Sequence, residues 1–212
     1  MAFILAFDTS ATVCSVAIQK GDRIYSAHEI APMQQAKRIL PMIKNVLAES
    51  SLTLNELDAI AYGAGPGSFT GIRIANSVAQ GLAYAAEKPV IQVSSLAILA
   101  ESAFLEHGCR KMLVAIDARM EQIYWAMYEV GQKGHVELIG EEQLCAPHLI
   151  SLPINEAEYG VGDGWGKYDG FKPKHIYASQ LPKAEALLPL AALKYQAGQW
   201  VSSADAVPFY LR

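Results

Sequence analysis

Cysteine is scarce and scattered. Cys14, Cys109 and Cys145 are the only three, with no CxxC and no histidine at metal-ligand spacing, so neither a disulfide framework nor a zinc site is expected. No window of about 18 apolar residues runs unbroken, which argues against a membrane-spanning helix. Basic charge is also short. With 17 Lys and Arg against 21 Asp and Glu, the formal net charge is -4, and a surface that holds RNA or DNA unaided must neutralise phosphates. The five histidines, His28, His107, His135, His148 and His175, form no HxxxH or HExxH, and no GxSxG occurs. A metallopeptidase helix and a hydrolase nucleophile elbow are thereby excluded. The N-terminus MAFILAFDTSA is apolar but lacks a basic start and carries Asp8 where a signal peptide stays apolar. It reads as a first buried strand of a cytoplasmic protein.

What is present is apolar and well patterned. Hydrophobic residues make up 52% of 212, enough for two small lobes sharing an interface. FILAFDTS, TVCSVAI and RIYSAHE read as three successive strands. Ala36, Ile39, Leu40, Ile43, Val46 and Leu47 then recur at three and four, predicting a helix over 34–49. Thr53 with Glu56 suggests a capping box before the strand DAIAYGA. A helix from Thr70 to about Glu87, the strand PVIQV and the helix SLAILAESAF follow. The second half repeats the first: Leu5, Ala6, Phe7 and Asp8 correspond to Val114, Ala115, Ile116 and Asp117, and Val16, Ala17 and Ile18 to Trp125, Ala126 and Met127, at a constant offset of 109. This suggests a duplicated lobe, divided into 1–107 and 108–212 with a hinge near 105–110. EYGVGDGWGKY repeats a strand and glycine turn. Ala184, Leu187, Leu188, Ala191 and Ala192 predict a closing helix, kinked or restarted at Pro189. Tyr124, Trp125 and Tyr128 read as core.

Two segments could carry chemistry. In AYGAGPGSFTGIRIA, a strand passes through a glycine turn into a helix. Gly65, Gly67 and Ser68, with Arg73 one turn in, could hold a phosphate on the helix N-terminus, yet the segment lacks the lysine of a P-loop and the third glycine of a dinucleotide fingerprint. The alternative lies in the helix, where Gly71, Ala75, Ala79 and Ala83 form a ridge of small residues that lets another helix approach closely. Ser77, Gly81 and Ala85 widen it, so a partner surface including Ser77, Val78 and Leu82 is the favoured reading. Bulky replacements at Ala75 or Ala79 are then expected to separate partners and spare the fold. Asp8, Thr9 and Ser10, at a strand-to-strand turn, suit either a phosphate and magnesium grip or an Asx turn satisfying its own backbone.

GPGSFTGIR, the opening LAFDTS, the ILP of the first helix and the terminal VPFYLR together resemble the TsaB (YeaZ) family across essentially the whole chain. That resemblance implies an α/β fold of the actin, Hsp70 and sugar-kinase (ASKHA) type, with duplicated ribonuclease H-like lobes. It further implies a non-catalytic part in forming N6-threonylcarbamoyladenosine beside the anticodon of tRNAs that read codons beginning with A. The implied partners are the related catalytic subunit TsaD and the ATPase TsaE. The resemblance implies a homodimer when the chain is alone, tRNA contact only within the complex, and no cofactor of its own beyond ATP or ADP at the complex interface. TsaD carries metal-ligating histidines after the corresponding strand; the matching segment here is VSSLAIL, with Ser95 and Leu99 at those positions. Gln35 stands where related sequences often have a histidine. The competing expectations are a nucleotide-binding ATPase or phosphotransferase, supported by the DTS turn, and a glycopeptidase, which no motif supports.

Overall fold

The computed structural model describes residues 2–150, 157–166 and 173–211. Strands β1 (Ile4–Asp8), β2 (Val13–Lys20) and β3 (Arg23–Ile30) lead into α1 (Gln35–Ser50), β4 (Ala59–Gly63), α2 (Phe69–Ala86), β5 (Val90–Val93) and α3 (Ser95–His107). A second series, β6 (Lys111–Arg119), β7 (Gln122–Val130), β8 (Val136–Cys145), β9 (Tyr159–Val161) and β10 (His175–Tyr177), ends in α4 (Ala184–Gln196). Each series forms a five-stranded mixed sheet, β3-β2-β1-β4-β5 and β8-β7-β6-β9-β10. In both, the first three strands pair antiparallel and the last two join in parallel. Two sheets of one order and one polarity bear out the duplicated ASKHA fold.

The duplication is real, but its register differs from the constant offset. Val16 and Trp125 both face outward from their sheets and Ala17 and Ala126 both face the shared core, as expected. In the first strands the same offset matches Leu5, which faces outward, with Val114, which faces the shared core. Pairing settles the equivalence: Leu5 lies opposite Ile18 and Leu113 opposite Met127. Leu5, Ala6 and Phe7 therefore correspond to Leu113, Val114 and Ala115, and Asp117 stands one residue beyond the position of Asp8. Strands apolar on both faces lack the polar alternation that would mark such a slip.

Burial explains the layers. One face of the first sheet (Leu5, Phe7, Val16, Ile18, Ile60, Tyr62) packs against α1 and α2, while the other (Ile4, Ala6, Ala17, Ala59, Ala61) faces the shared core. The two late helices cross over: α4 lies on β1, β2, β4 and β5, and α3 lies on β6 to β9. α4 is one helix with Pro189 inside it, not two segments. In α1 the buried residues are Gln35, Ile39, Met42, Ile43, Val46 and Ser50. Ala36 and Leu40 point outward, so the true face is rotated from the expected one. The Thr53–Glu56 capping box forms, on a short 3-10 turn. Trp125 and Tyr128 are buried and Tyr124 packs on the core edge. After α4 the chain returns to the first sheet: Val201 bridges Val90, Gln80 Nε2 donates to the Ala206 carbonyl at 2.9 Å, and Phe209 N–H donates to the Ala64 carbonyl at 2.7 Å. No helix among the described residues is long and apolar enough to cross a membrane.

Candidate functional site: the cleft between the sheets

Strands β1 and β4 run side by side in parallel, so the Asp8-Thr9-Ser10 turn and the glycine turn leave the sheet together and pack on each other. The glycines are small because backbone fills the space. A Cβ on Gly71 would lie 2.0 Å from the Thr9 carbonyl oxygen, and one on Gly67 2.7 Å from that of Ser10. Polar bonds fasten the contact: Thr9 Oγ1 donates to the Gly71 carbonyl at 2.7 Å, and Ser68 N–H donates to the Ser10 carbonyl at 2.8 Å. Ser68 is the N-cap of α2, its side chain accepting from Gly71 N–H at 3.4 Å. Gly65, at φ 107°, holds a backbone conformation that side chains disfavour.

Asp8 closes an Asx turn. Its Oδ1 accepts from Ser10 N–H at 3.0 Å and from Ser10 Oγ at 2.9 Å. Burial pushes its carboxyl up to about 6, against the Ser10 hydrogen bonds, which pull it down. In the second lobe Asp117 makes the same local bond despite its shifted place: Oδ1 accepts from Arg119 N–H at 2.9 Å, and Oδ2 meets the Arg119 guanidinium at 3.1 Å. Asp163, in the second glycine turn, accepts from Asp117 N–H at 3.0 Å.

A cleft of about 550 Å³ opens between these turns. From the first lobe it takes Ser10, Ala11, Thr12, Gly67, Ser68 and Phe69; from the second, Ile116, Asp117, Arg119, Tyr124 and Asp163. Of the expected phosphate contacts, Ser10, Gly67 and Ser68 line it. Asp8, Thr9, Gly65 and Arg73 do not: the first two are fully buried, and the Arg73 guanidinium lies 3.7 Å over the Phe69 ring, with Nε donating to the Tyr210 hydroxyl at 3.1 Å. Gln180 also lines the cleft, and nothing in its sequence context marks it. Asp163 was marked only by the glycines around it.

The two positions where the resemblance places metal-ligating histidines do not fit a metal. Leu99 is an apolar wall of the cleft. Ser95 is fully buried, and its Oγ has no hydrogen-bond partner. A methyl group cannot ligate and a lone hydroxyl is a weak substitute for imidazole. Nor are the histidines gathered: His107 stacks on Tyr177 with its Nε2 at 2.9 Å from Gln180, and His135 Nδ1 meets buried Glu101 at 2.7 Å.

The ridge on α2 is turned inward. Gly71, Ala75, Ala79 and Ala83 are all buried, the three alanines within the core beneath the first sheet. They bring α2 close to β4 and are not open to another chain. Outside lie Ser77, Gly81, Tyr84 and Ala85, with Val78 and Leu82 half-buried along the edge. A bulky residue at Ala75 or Ala79 would therefore overpack the core, contrary to the expectation that the fold would be spared.

A family model described as TsaD, tRNA N6-adenosine threonylcarbamoyltransferase, matches residues 24–184. The tRNA threonylcarbamoyladenosine biosynthesis protein TsaB of Haemophilus influenzae is 40% identical over 99% of this chain and 93% of its own length. The protein of that name from Escherichia coli is 38% identical over 99% and 94%. The solved structure of YeaZ from Pseudomonas aeruginosa covers 100% of both chains at 43% identity and a TM-score of 0.95. Matched over almost its whole length in sequence and in fold, the chain belongs to the TsaB (YeaZ) family, a relative of TsaD.

Proposed function

We propose that this chain is a non-catalytic subunit required to form N6-threonylcarbamoyladenosine on tRNAs that read codons beginning with A. It acts by docking on TsaD, and with TsaE, through the outward face of α2. Alone, it pairs with a second copy through that face; tRNA is touched only within the complex, and ATP or ADP only at the complex interface. The observation that carries the reading is that Leu99, on the cleft wall, and Ser95, sealed away from it, occupy the positions at which the catalytic relative holds histidines. Burial of Asp8 supports it, because a carboxylate outside the cleft surface cannot reach a substrate there.

A second reading, a nucleotide-binding ATPase or phosphotransferase, draws on the cleft itself, with Ser10, Thr12, Gly67 and Ser68 along one side. One experiment separates them. Threonylcarbamoyladenosine is measured by mass spectrometry in a reconstitution of the donor synthase, TsaD, TsaE, tRNA, threonine, bicarbonate and ATP, with and without this chain. The scaffold reading requires product that depends on the chain and persists with Ser68→Ala. Equal product without the chain sinks it. Magnesium-dependent ATP turnover by the chain alone, lost in Ser68→Ala, would favour the second.

A further inference from the structure

A second cavity, of about 390 Å³, shares no lining residue with the cleft and falls in the size range of small-molecule sites, about 300–1,000 Å³. It lies where α3 and α4 meet β7, β8 and the returning C-terminal segment. Leu138, Leu190, Leu193 and Phe209 make apolar walls. Leu138 is exposed, so the cavity opens to solvent.

Two opposite charges line it. Lys194 reaches it from α4 and Glu142 from β8. They influence each other electrostatically, yet form no ion pair, and the Lys194 side-chain amine makes no hydrogen bond among the described residues. The buried Tyr128 hydroxyl donates to Glu142 Oε1 at 2.6 Å, which fixes the carboxylate and leaves its other oxygen for a further donor. Ser94, the N-cap of α3, also lines the space and brings the positive end of that helix to it. Burial lowers the Lys194 amine from its ordinary range, more than Glu142 raises it. The ammonium has lost water without gaining a counter-ion.

We propose that this cavity binds a small zwitterion with an apolar body, the chemistry of a free aliphatic α-amino acid. Its carboxylate pairs with Lys194, its ammonium with Glu142, and its side chain rests on the leucine walls. The ligand completes both ion pairs, which the protein's own geometry keeps apart. This site is independent of the function proposed for the α2 face.

The test is titration of L-leucine into the purified full chain, followed by calorimetry and by methyl NMR. Isocaproate, which lacks the ammonium, and isoamylamine, which lacks the carboxylate, are run beside it. Leucine is expected to saturate, each comparator binding at least about tenfold more weakly, the worth of one good ionic hydrogen bond. Lys194→Met, which keeps the aliphatic stem, should abolish leucine binding. Glu142→Gln, which still accepts from Tyr128, should weaken leucine about tenfold and leave isocaproate unchanged. Melting curves identify any variant that unfolds, and the other variant then decides. No saturation by leucine at millimolar concentration overturns the proposal, as does equal binding of isocaproate or leucine binding untouched by both substitutions.

Discussion

Gly63 lies so close to Asp8 that a Cβ built on it would stand 1.8 Å from the Asp8 carboxylate oxygen Oδ2. The two residues end adjacent parallel strands, so neither can shift without disturbing the sheet. Gly63→Ala should therefore destabilise the chain by about 1–3 kcal/mol through overpacking, read from urea unfolding. Gly81→Ala is the control. Nothing lies within 4 Å of its added Cβ, so the better helix former should add about 1 kcal/mol. A neutral Gly63→Ala would mean that the carboxylate can swing aside.

Asp8 makes stability depend on pH. Its carboxyl moves from an ordinary 3.8 to about 6 on folding. The folded chain resists an ionisation that the unfolded chain undergoes freely, so the stability present below about pH 4 is lost as pH rises through about 6. Asp8→Asn escapes that loss and should gain on the native chain by about 3 kcal/mol across this window. Unfolding curves for both proteins at several pH values check it; a difference that stays flat would show that the carboxylate is solvated.

The inner and outer faces of α2 should respond oppositely. Ala79 is fully buried and Ser77 exposed. Ala79→Leu is expected to cost about 1–3 kcal/mol of stability. Ser77→Arg should shift stability by only about 0.5 kcal/mol and Gly81→Arg, which replaces a glycine by a better helix former, should not lower it, while both abolish TsaD binding by calorimetry. Full TsaD binding by both arginine variants would remove the α2 face from the proposal.

Ser15 ties the halves of the chain together. Its Oγ accepts from Ala184 N–H at 2.9 Å, and both residues are buried. Ser15→Ala leaves the first N–H of α4 without a partner and should cost about 1–3 kcal/mol. Loss of under half a kcal/mol in denaturant titration would show that the amide finds another acceptor.

Local order was legible in the sequence and long-range order much less so. The strand-turn-helix reading from Ile4 to His107 and the closing helix follow from periods of two and of three to four, which each segment carries within itself. Which side of a helix faces home is a different matter. Gly71, Ala75, Ala79 and Ala83 make an equally smooth ridge whether it meets a partner or its own sheet, and only the position of β4 decides. The one-residue slip between β1 and β6 was hidden because Leu5-Ala6-Phe7 and Leu113-Val114-Ala115 are buried on both faces. The second wall of the cleft, Asp163 and Gln180 above all, comes from turns whose place depends on the whole second sheet. No local pattern encodes it.

The crossing of α3 and α4 also sets an order in time. As the chain leaves the ribosome, β1 to β5 can pair early, yet the face carrying Ile4, Ala6, Ala17, Ala59 and Ala61 is covered by Ala184, Leu187, Leu188 and Ala191, which emerge only after the whole second sheet. Until then an apolar sheet face stands open to its neighbours on the polysome. Neither half covers that face by itself, and a chain cut before Ala184 leaves it exposed.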